Sequence, residues 1–215
     1  MKLFTYWRSS AAYRVRIGLN LKETDFESIY VHLVKDGGEQ LTEAYRAINP
    51  QALVPSIELP DGQYLTQSMA ILEYLDETLG GHDLLPADAL DRAYVRALSQ
   101  SVACEIHPLN NLRVLKYLST SLKVTDEDKS AWYRHWVEVG LHAFEETLIR
   151  TDKMGDFCFG DKPSLADICL VPQVYNARRF NVDLTPYPHI IRIDKNCQSL
   201  EAFAKAAPEQ QGDAV

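Results

Sequence analysis

Trp7-Arg8-Ser9-Ser10-Ala11-Ala12-Tyr13-Arg14-Val15-Arg16-Ile17-Gly18-Leu19 decides the fold of this chain. The stretch follows an apolar-rich run, Lys2 to Tyr6, that reads as a strand. It opens a helix expected over Ser10–Lys22, with Val15, Ile17 and Leu19 supplying apolar faces. An arginine and two hydroxyl residues therefore stand where a strand ends and a helix begins. Such a junction presents free backbone N–H groups and the positive end of the helix dipole, a ready site for an anion. If that anion is a thiolate, the same field lowers the thiol pKa and makes a nucleophile near neutral pH.

Outward from this junction, strand-like and helix-like segments alternate. Glu27–Leu33 reads as a strand, and Glu39–Ile48 is polar, helical or irregular. Val54–Leu59 and Gln63–Leu65 flank Pro60-Asp61-Gly62, a hairpin signal. Ser68 is expected to cap a helix carrying Ile71, Leu72, Leu75 and Leu79, which Gly80-Gly81 ends. The order β-α-β-α-β-β-α predicts an α/β domain over residues 1–81, a small sheet covered by helices. A linker rich in Gly, His, Asp and Pro follows, and beyond it only helical periodicity remains. Asp91–Leu118, Asp126–Ile149 and Ser164–Phe180 are the clearest stretches, with Ser164 and Asp167 placed as a capping box. An all-helical domain is expected over residues 89–215, its tail from Pro208 polar and loose.

Bulk properties restrict the function classes. The 215 residues carry a formal net charge of -8, which speaks against general attraction to nucleic acid or an anionic membrane. An anion site must then be built locally from arginines. The four cysteines, Cys104, Cys158, Cys169 and Cys197, are widely spaced. They suit a reducing compartment better than a disulfide framework, and they resemble no metal site. With no long apolar segment at the N-terminus and none of membrane-spanning length, a cytoplasmic protein is expected.

Several motifs, taken together, resemble the zeta class of the glutathione transferases, which includes maleylacetoacetate and maleylpyruvate isomerases. Arg8-Ser9-Ser10 with Tyr13–Leu19 looks like that class's signature. Asn49-Pro50-Gln51-Ala52-Leu53-Val54-Pro55, Leu65-Thr66-Gln67-Ser68-Met69-Ala70-Ile71 and Leu84-Leu85-Pro86 match it in order and spacing. His107-Pro108-Leu109-Asn110-Asn111, Ser164–Asp167, and Leu170–Phe180 continued by Val182–Pro188 match it in the second domain. The resemblance covers nearly the whole chain. It implies a thioredoxin-like N-terminal domain, an all-α C-terminal domain, glutathione as cofactor and a homodimer. One departure stands out: the class often reads Ser-Ser-Cys where this chain has Ser9-Ser10-Ala11. Isomerisation is expected to survive without that cysteine, whereas the resemblance implies nothing here about side activities such as turnover of halogenated acids.

Cis–trans isomerisation of an activated double bond needs a temporary single bond. A thiolate supplies it by adding to an alkene conjugated with a carbonyl, giving an enolate; rotation and elimination of the thiol follow. No cysteine of this chain lies on the motif segment, so a borrowed thiol, that of glutathione, is the economical choice.

The resemblance assigns roles residue by residue. Ser9 is the candidate hydroxyl for the glutathione sulfur, supported by Ser10; residue type alone favours plain capping, and the neighbouring Arg8 with the resemblance reverses that for Ser9. Val54, before Pro55, would offer its backbone to the cysteinyl moiety, and a cis Val54–Pro55 bond is implied. Gln67 and Ser68 would take the γ-glutamyl carboxylate and Gln40 the glycyl end. His107, Asn110 and Asn111 are further glutathione candidates. Arg8, Arg113 and Arg179 would hold the carboxylates and enolate of a dicarboxylic keto acid. Arg178 or Arg179 could serve, with Arg179 matching the class's substrate position. Three readings follow: a glutathione-dependent isomerase of maleylacetoacetate or maleylpyruvate, a general conjugating transferase, and a non-catalytic glutathione-binding module.

Overall fold

Residues Lys2-Leu3-Phe4-Thr5 alternate too weakly for a one-sided strand, and the reason is burial on both faces. In the computed structural model, which describes residues 1–215, they form β1 (Lys2–Thr5), inside a mixed sheet. The first helix, α1 (Ser10–Leu21), carries the chain across to β2 (Glu27–Tyr30), parallel to β1 with Lys2 opposite Glu27. A short helix, α2 (Glu43–Ile48), capped by Thr42, precedes β3 (Ser56–Glu58) and β4 (Tyr64–Thr66). These last two form the expected antiparallel hairpin about Gly62, which sits at φ +84° as its turn requires. The strand order is β2-β1-β3-β4, with β1 and β3 antiparallel. This is the thioredoxin-like arrangement.

The third helix, α3 (Ser68–Thr78), packs on α1 at close range. A Cβ on Gly18 would lie 2.2 Å from Leu72 Cδ2, so only glycine fits that crossing. Two local expectations change here. Gln67, not Ser68, is the N-cap of α3; it sits at φ +70°, and Ser68 is the first helical residue. The helix stops at Thr78 with Leu79 extended, so Gly80-Gly81 lies beyond the end rather than capping it.

The chain divides into two compact units, Met1–Leu84 with Gln198–Val215, and Leu85–Cys197. The C-terminal segment expected to belong to the helical domain and to end in a loose tail instead returns to the first unit. Its helix α10 (Glu201–Ala206) packs on α1 through Phe203 and Ala206, both fully buried. The cause is polar as well as apolar. Arg16 is fully buried in α1, and its Nε donates to Ala206 O at 3.0 Å. Asn20 Nδ2 donates to Ala202 O at 2.9 Å. Buried donors on α1 need acceptors, and the returning segment provides them.

The second unit is helical. The stretch expected as one helix, Asp91–Leu118, is broken. It runs as α4 (Ala89–Gln100), a π-helical turn Ser101–Ile106, α5 (His107–Leu109) and α6 (Leu112–Thr120). Pro108 lacks the N–H that a continuous helix would use, and Asn111 adopts extended backbone. The long α7 (Asp126–Thr151) follows, then α8 (Leu165–Arg179), buried nearly all round, and α9 (Pro188–Gln198). At the start of α8 the Asp167 carboxylate accepts from the amides of Cys158 and Ser164, at 2.9 and 2.7 Å, and from the Ser164 hydroxyl at 2.8 Å. Burial pushes the Asp167 carboxyl above the usual carboxylate range, and these donors oppose the shift.

Candidate active site

Ser9 occupies the N-cap of α1, in extended backbone with φ −72° and ψ 115°. Its Oγ accepts from the Ala12 N–H at 3.2 Å. A hydroxyl has one proton and two lone pairs, so the cap uses an acceptor and leaves the O–H to donate. Capping and anion binding are thus compatible roles of one group. Ser10 is the first helical residue and is buried; Ala11 beside it is half-buried. The Arg8 guanidinium lies over the Trp7 ring, 4.6 Å from its centroid, and donates to the Tyr6 hydroxyl at 3.3 Å. Two contacts therefore hold a side chain that sequence alone leaves free.

Phe4, Tyr6, Trp7, Val31, Tyr45 and Val54 form one buried cluster with Leu33 packed against it. This cluster ties the loop carrying Arg8 and Ser9 to the loop carrying Val54. The Val54–Pro55 peptide bond is cis, as expected. Neither the N–H nor the C=O of Val54 is bonded within the chain, whereas Leu53 O accepts from Tyr45 Oη and Asn49 Nδ2. An unpaired donor and acceptor on one residue make an edge that an extended peptide can join. At the start of α3, Gln67 Nε2 donates to Gln51 Oε1 at 2.6 Å, and the buried Arg14 donates to Ser68 Oγ at 3.4 Å. Gln40 is more enclosed than its polar surroundings suggest: Nε2 reaches Leu33 O at 3.3 Å, and Oε1 is buried without a partner.

In the helical unit, His107 and Asn111 approach through Nε2 and Nδ2 at 3.5 Å. Asn111 also caps α6, accepting from the Arg113 N–H at 3.1 Å. Asn110 is buried, donates to Tyr133 O at 3.4 Å, and keeps an unpartnered Oδ1. The Arg113 guanidinium is exposed. The two arginines ending α8 differ in duty. Arg178 pairs with the buried Asp194 at 2.6 Å, while Arg179 lies 5.0 Å over Phe180, itself stacked on Tyr133 at 3.5 Å. The structure therefore commits Arg178 to an ion pair and leaves the Arg179 fork for other ligands.

Residues 8–78 match the family model for the glutathione S-transferase N-terminal domain. The probable maleylacetoacetate isomerase of Vibrio cholerae is 50% identical over 213 residues, spanning 99% of this chain and 97% of its own. The holo structure of a maleyl pyruvate isomerase, a bacterial zeta-class glutathione S-transferase, shares 47% identity at a TM-score of 0.96, with both chains fully covered. The chain belongs to the zeta class of the glutathione transferases. A maleylacetoacetate isomerase from Methylobacterium extorquens, solved with malonate and glutathione bound, has 40% identity, a TM-score of 0.96 and full coverage of both chains.

Within this transferase two residues of the first motif, Arg14 and Arg16, carry contacts that residue type alone does not announce. Each is buried on α1, Arg14 against Ser68 and Arg16 against the strand end. Burial pushes the Arg16 guanidinium down to about 10, with nearby Tyr13 and Asp213 opposing, so it stays charged at neutral pH. A signal was present: charged residues at alternate positions of a helix whose remaining faces are apolar must be buried or interrupt the packing. The transferase has no group of His, Cys, Asp and Glu placed to hold a metal ion, and no helix long and apolar enough to cross a membrane.

Proposed function

We infer that this chain is a glutathione-dependent cis–trans isomerase of a maleyl-keto acid, maleylacetoacetate or maleylpyruvate, producing the fumaryl isomer. The observation that carries the reading is Ser9 at the N-terminus of α1, its lone pair spent on the cap and its proton available, next in sequence to an arginine held over Trp7. Full-length kinship with isomerases of both names supports it. Bound glutathione supplies a thiolate that adds to the activated alkene, permits rotation about the resulting single bond, and departs unchanged.

The chain's own groups set the conditions. Ser9 donates to the sulfur and favours its charged form, with the α1 dipole and Ser10 in support. Val54 pairs its backbone N–H and C=O with the cysteinyl moiety. Ser68 and Gln67, at the N-terminus of α3 with Arg14 behind Ser68, take the γ-glutamyl carboxylate. Gln40, whose Oε1 is unpartnered, accepts the glycyl N–H. His107, Asn110 and Asn111 are assigned further glutathione contacts. Arg8 stabilises the charge that develops on the substrate's carbonyl oxygen, and Arg113 and Arg179 hold its carboxylates. Residues 1–81 as the glutathione-binding domain, the helical domain as its substrate-site companion, a homodimer and a cytoplasmic location complete the proposal; sedimentation equilibrium tests the dimer.

The deciding experiment follows the absorbance of maleylacetoacetate and of maleylpyruvate with and without glutathione, while free glutathione is titrated at the end. Loss of substrate absorbance that depends on glutathione, with the thiol recovered in full, is expected. Net consumption of glutathione would make conjugation the main activity. No turnover of either acid would leave a binding module.

A further inference from the structure

The return of the C-terminal segment brings a carboxylate to the loop that carries Arg8 and Ser9. Asp213 Oδ2 accepts the Trp7 N–H at 3.0 Å. The Trp7 carbonyl accepts from Arg16 Nη2 at 3.0 Å. Tyr6 O takes the Ser9 N–H at 3.0 Å and Arg16 Nη1 at 3.4 Å. Both polar groups of Trp7's backbone are thus held by charged side chains, one from α1 and one from the far end of the chain. Two flanking contacts seat the tail. The Gly212 N–H donates to the Tyr30 hydroxyl at 3.2 Å, and Ala214 packs against the cluster that contains Trp7 and Val54. Trp7 is in turn the ring beneath the Arg8 guanidinium. Asp213 therefore acts one residue from the substrate-binding arginine and two from the thiolate-binding hydroxyl.

We propose that Asp213 is a positioning residue of the isomerase, its carboxylate fixing the Trp7 amide and with it the aim of Arg8 and Ser9. The assignment rests on the roles given to Arg8 and Ser9 above. A hydrogen bond to an ionised acceptor is stronger than a neutral one and sets direction as well as distance. The bond spans nearly the whole sequence, so it serves the three-dimensional site and not the local turn. On the other edge of the same Tyr6–Trp7 peptide plane, Tyr6 O is gripped by Arg16 Nη1 and by the Ser9 N–H, so the plane is held from both sides. Without Asp213 the Trp7 N–H loses its partner, and the plane is held at its Tyr6 O edge alone. Small displacements of groups that must meet a reacting atom are expensive in rate.

Three variants and one measurement on the native protein test this. Asp213→Ala is expected to lower kcat/KM for the keto acid by about tenfold or more and to diminish the thiolate absorbance of bound glutathione at neutral pH. Asp213→Asn keeps an oxygen acceptor and is expected to retain most of both. Asp213→Glu should fall between them. In the unaltered protein the Trp7 amide should be among the most slowly exchanging of the loop, a result readable even if Asp213→Ala does not fold. An Asp213→Ala protein that melts earlier yet keeps kcat, KM and thiolate absorbance would reduce Asp213 to a fold contact and overturn the proposal. So would equal loss in the Ala and Asn variants, which would point to the charge facing Arg16 rather than the bond to Trp7. Rapid exchange of the Trp7 amide would do the same. The glutathione signal is measured without substrate, so an enzyme that turned over neither maleyl-keto acid would refute the function while leaving the role of Asp213 to be decided by that signal.

Discussion

Replacing Ser9 by alanine separates the cap its hydroxyl forms from the thiolate contact proposed for it. The cap bond to the Ala12 N–H is lost, which costs about 1 kcal/mol of stability. For a chain of this size that corresponds to a fall of roughly 2–4 °C in Tm. The catalytic part is larger. A hydrogen bond to a charged group is worth about 1.5–3 kcal/mol, and at ~1.36 kcal/mol per unit this holds the thiol of bound glutathione down by roughly one to two pH units. The hydroxyl favours the charged form, so its removal raises that pKa. Near neutrality the thiolate fraction, and kcat with it, should fall about 10- to 100-fold. Ser9→Thr keeps hydroxyl and cap, and should keep both properties. Ser9→Asn keeps a capping oxygen, so it should restore Tm while leaving kcat low. The assays are thermal melting, a pH titration of thiolate absorbance with glutathione bound, and isomerisation kinetics. A Ser9→Ala enzyme with lowered Tm, unchanged kcat and an unchanged thiol titration would refute the reasoning and leave Ser9 a cap alone.

Other substitutions probe the rest of the site and its frame. Arg178→Ala removes the partner of Asp194 and should lower Tm by a few degrees with KM held, whereas Arg179→Ala should raise KM for the keto acid with Tm held; the reverse pattern would exchange their assignments. Burial pushes the thiols of Cys158 and Cys197 up and encloses Cys169 as well, so the folded protein should titrate one thiol of four, Cys104, with a disulfide reagent; more than one would contradict the packing. Asp167→Ala strands three donors in the interior, each at a cost of about 1–3 kcal/mol, seen as a marked drop in Tm, while a drop no larger than that of a surface substitution would show those donors satisfied elsewhere.

How much of this was legible depended on the range of the interaction. The hairpin about Gly62, the strand before Ser9 and the capping box at Asp167 are set by neighbours in sequence, and the residue types declare them. The break after Gln100 was hidden because Ser101–Ile106 keeps apolar periodicity through a π-helical turn; only Pro108 and the paired asparagines hinted at it. Gln67 took the capping position expected of Ser68 because the exit of β4 requires a left-handed residue there, a demand of the sheet and not of the helix. Between Arg178 and Arg179 the sequence offers nothing to choose, since the choice is made by Asp194 on another helix. The role of the tail was illegible for the same reason. Pro208–Val215 looks polar and short of apolar anchors, and what holds it is the Trp7 N–H on Asp213 and the Tyr30 hydroxyl on the Gly212 N–H.

That discontinuous unit also imposes an order of assembly. The contacts joining Trp7 to Asp213 and Arg16 to Ala206 span 206 and 190 residues. During synthesis the helices from Leu85 to Cys197 emerge before Gln198–Val215, so the helical unit can close while the first unit still lacks one of its helices. Arg16, buried in the finished protein, must wait in water or with provisional partners until Ala206 arrives. Folding of the first unit is thereby postponed until Glu201–Ala206 have emerged, and a nascent chain cut short of residue 201 should not retain glutathione.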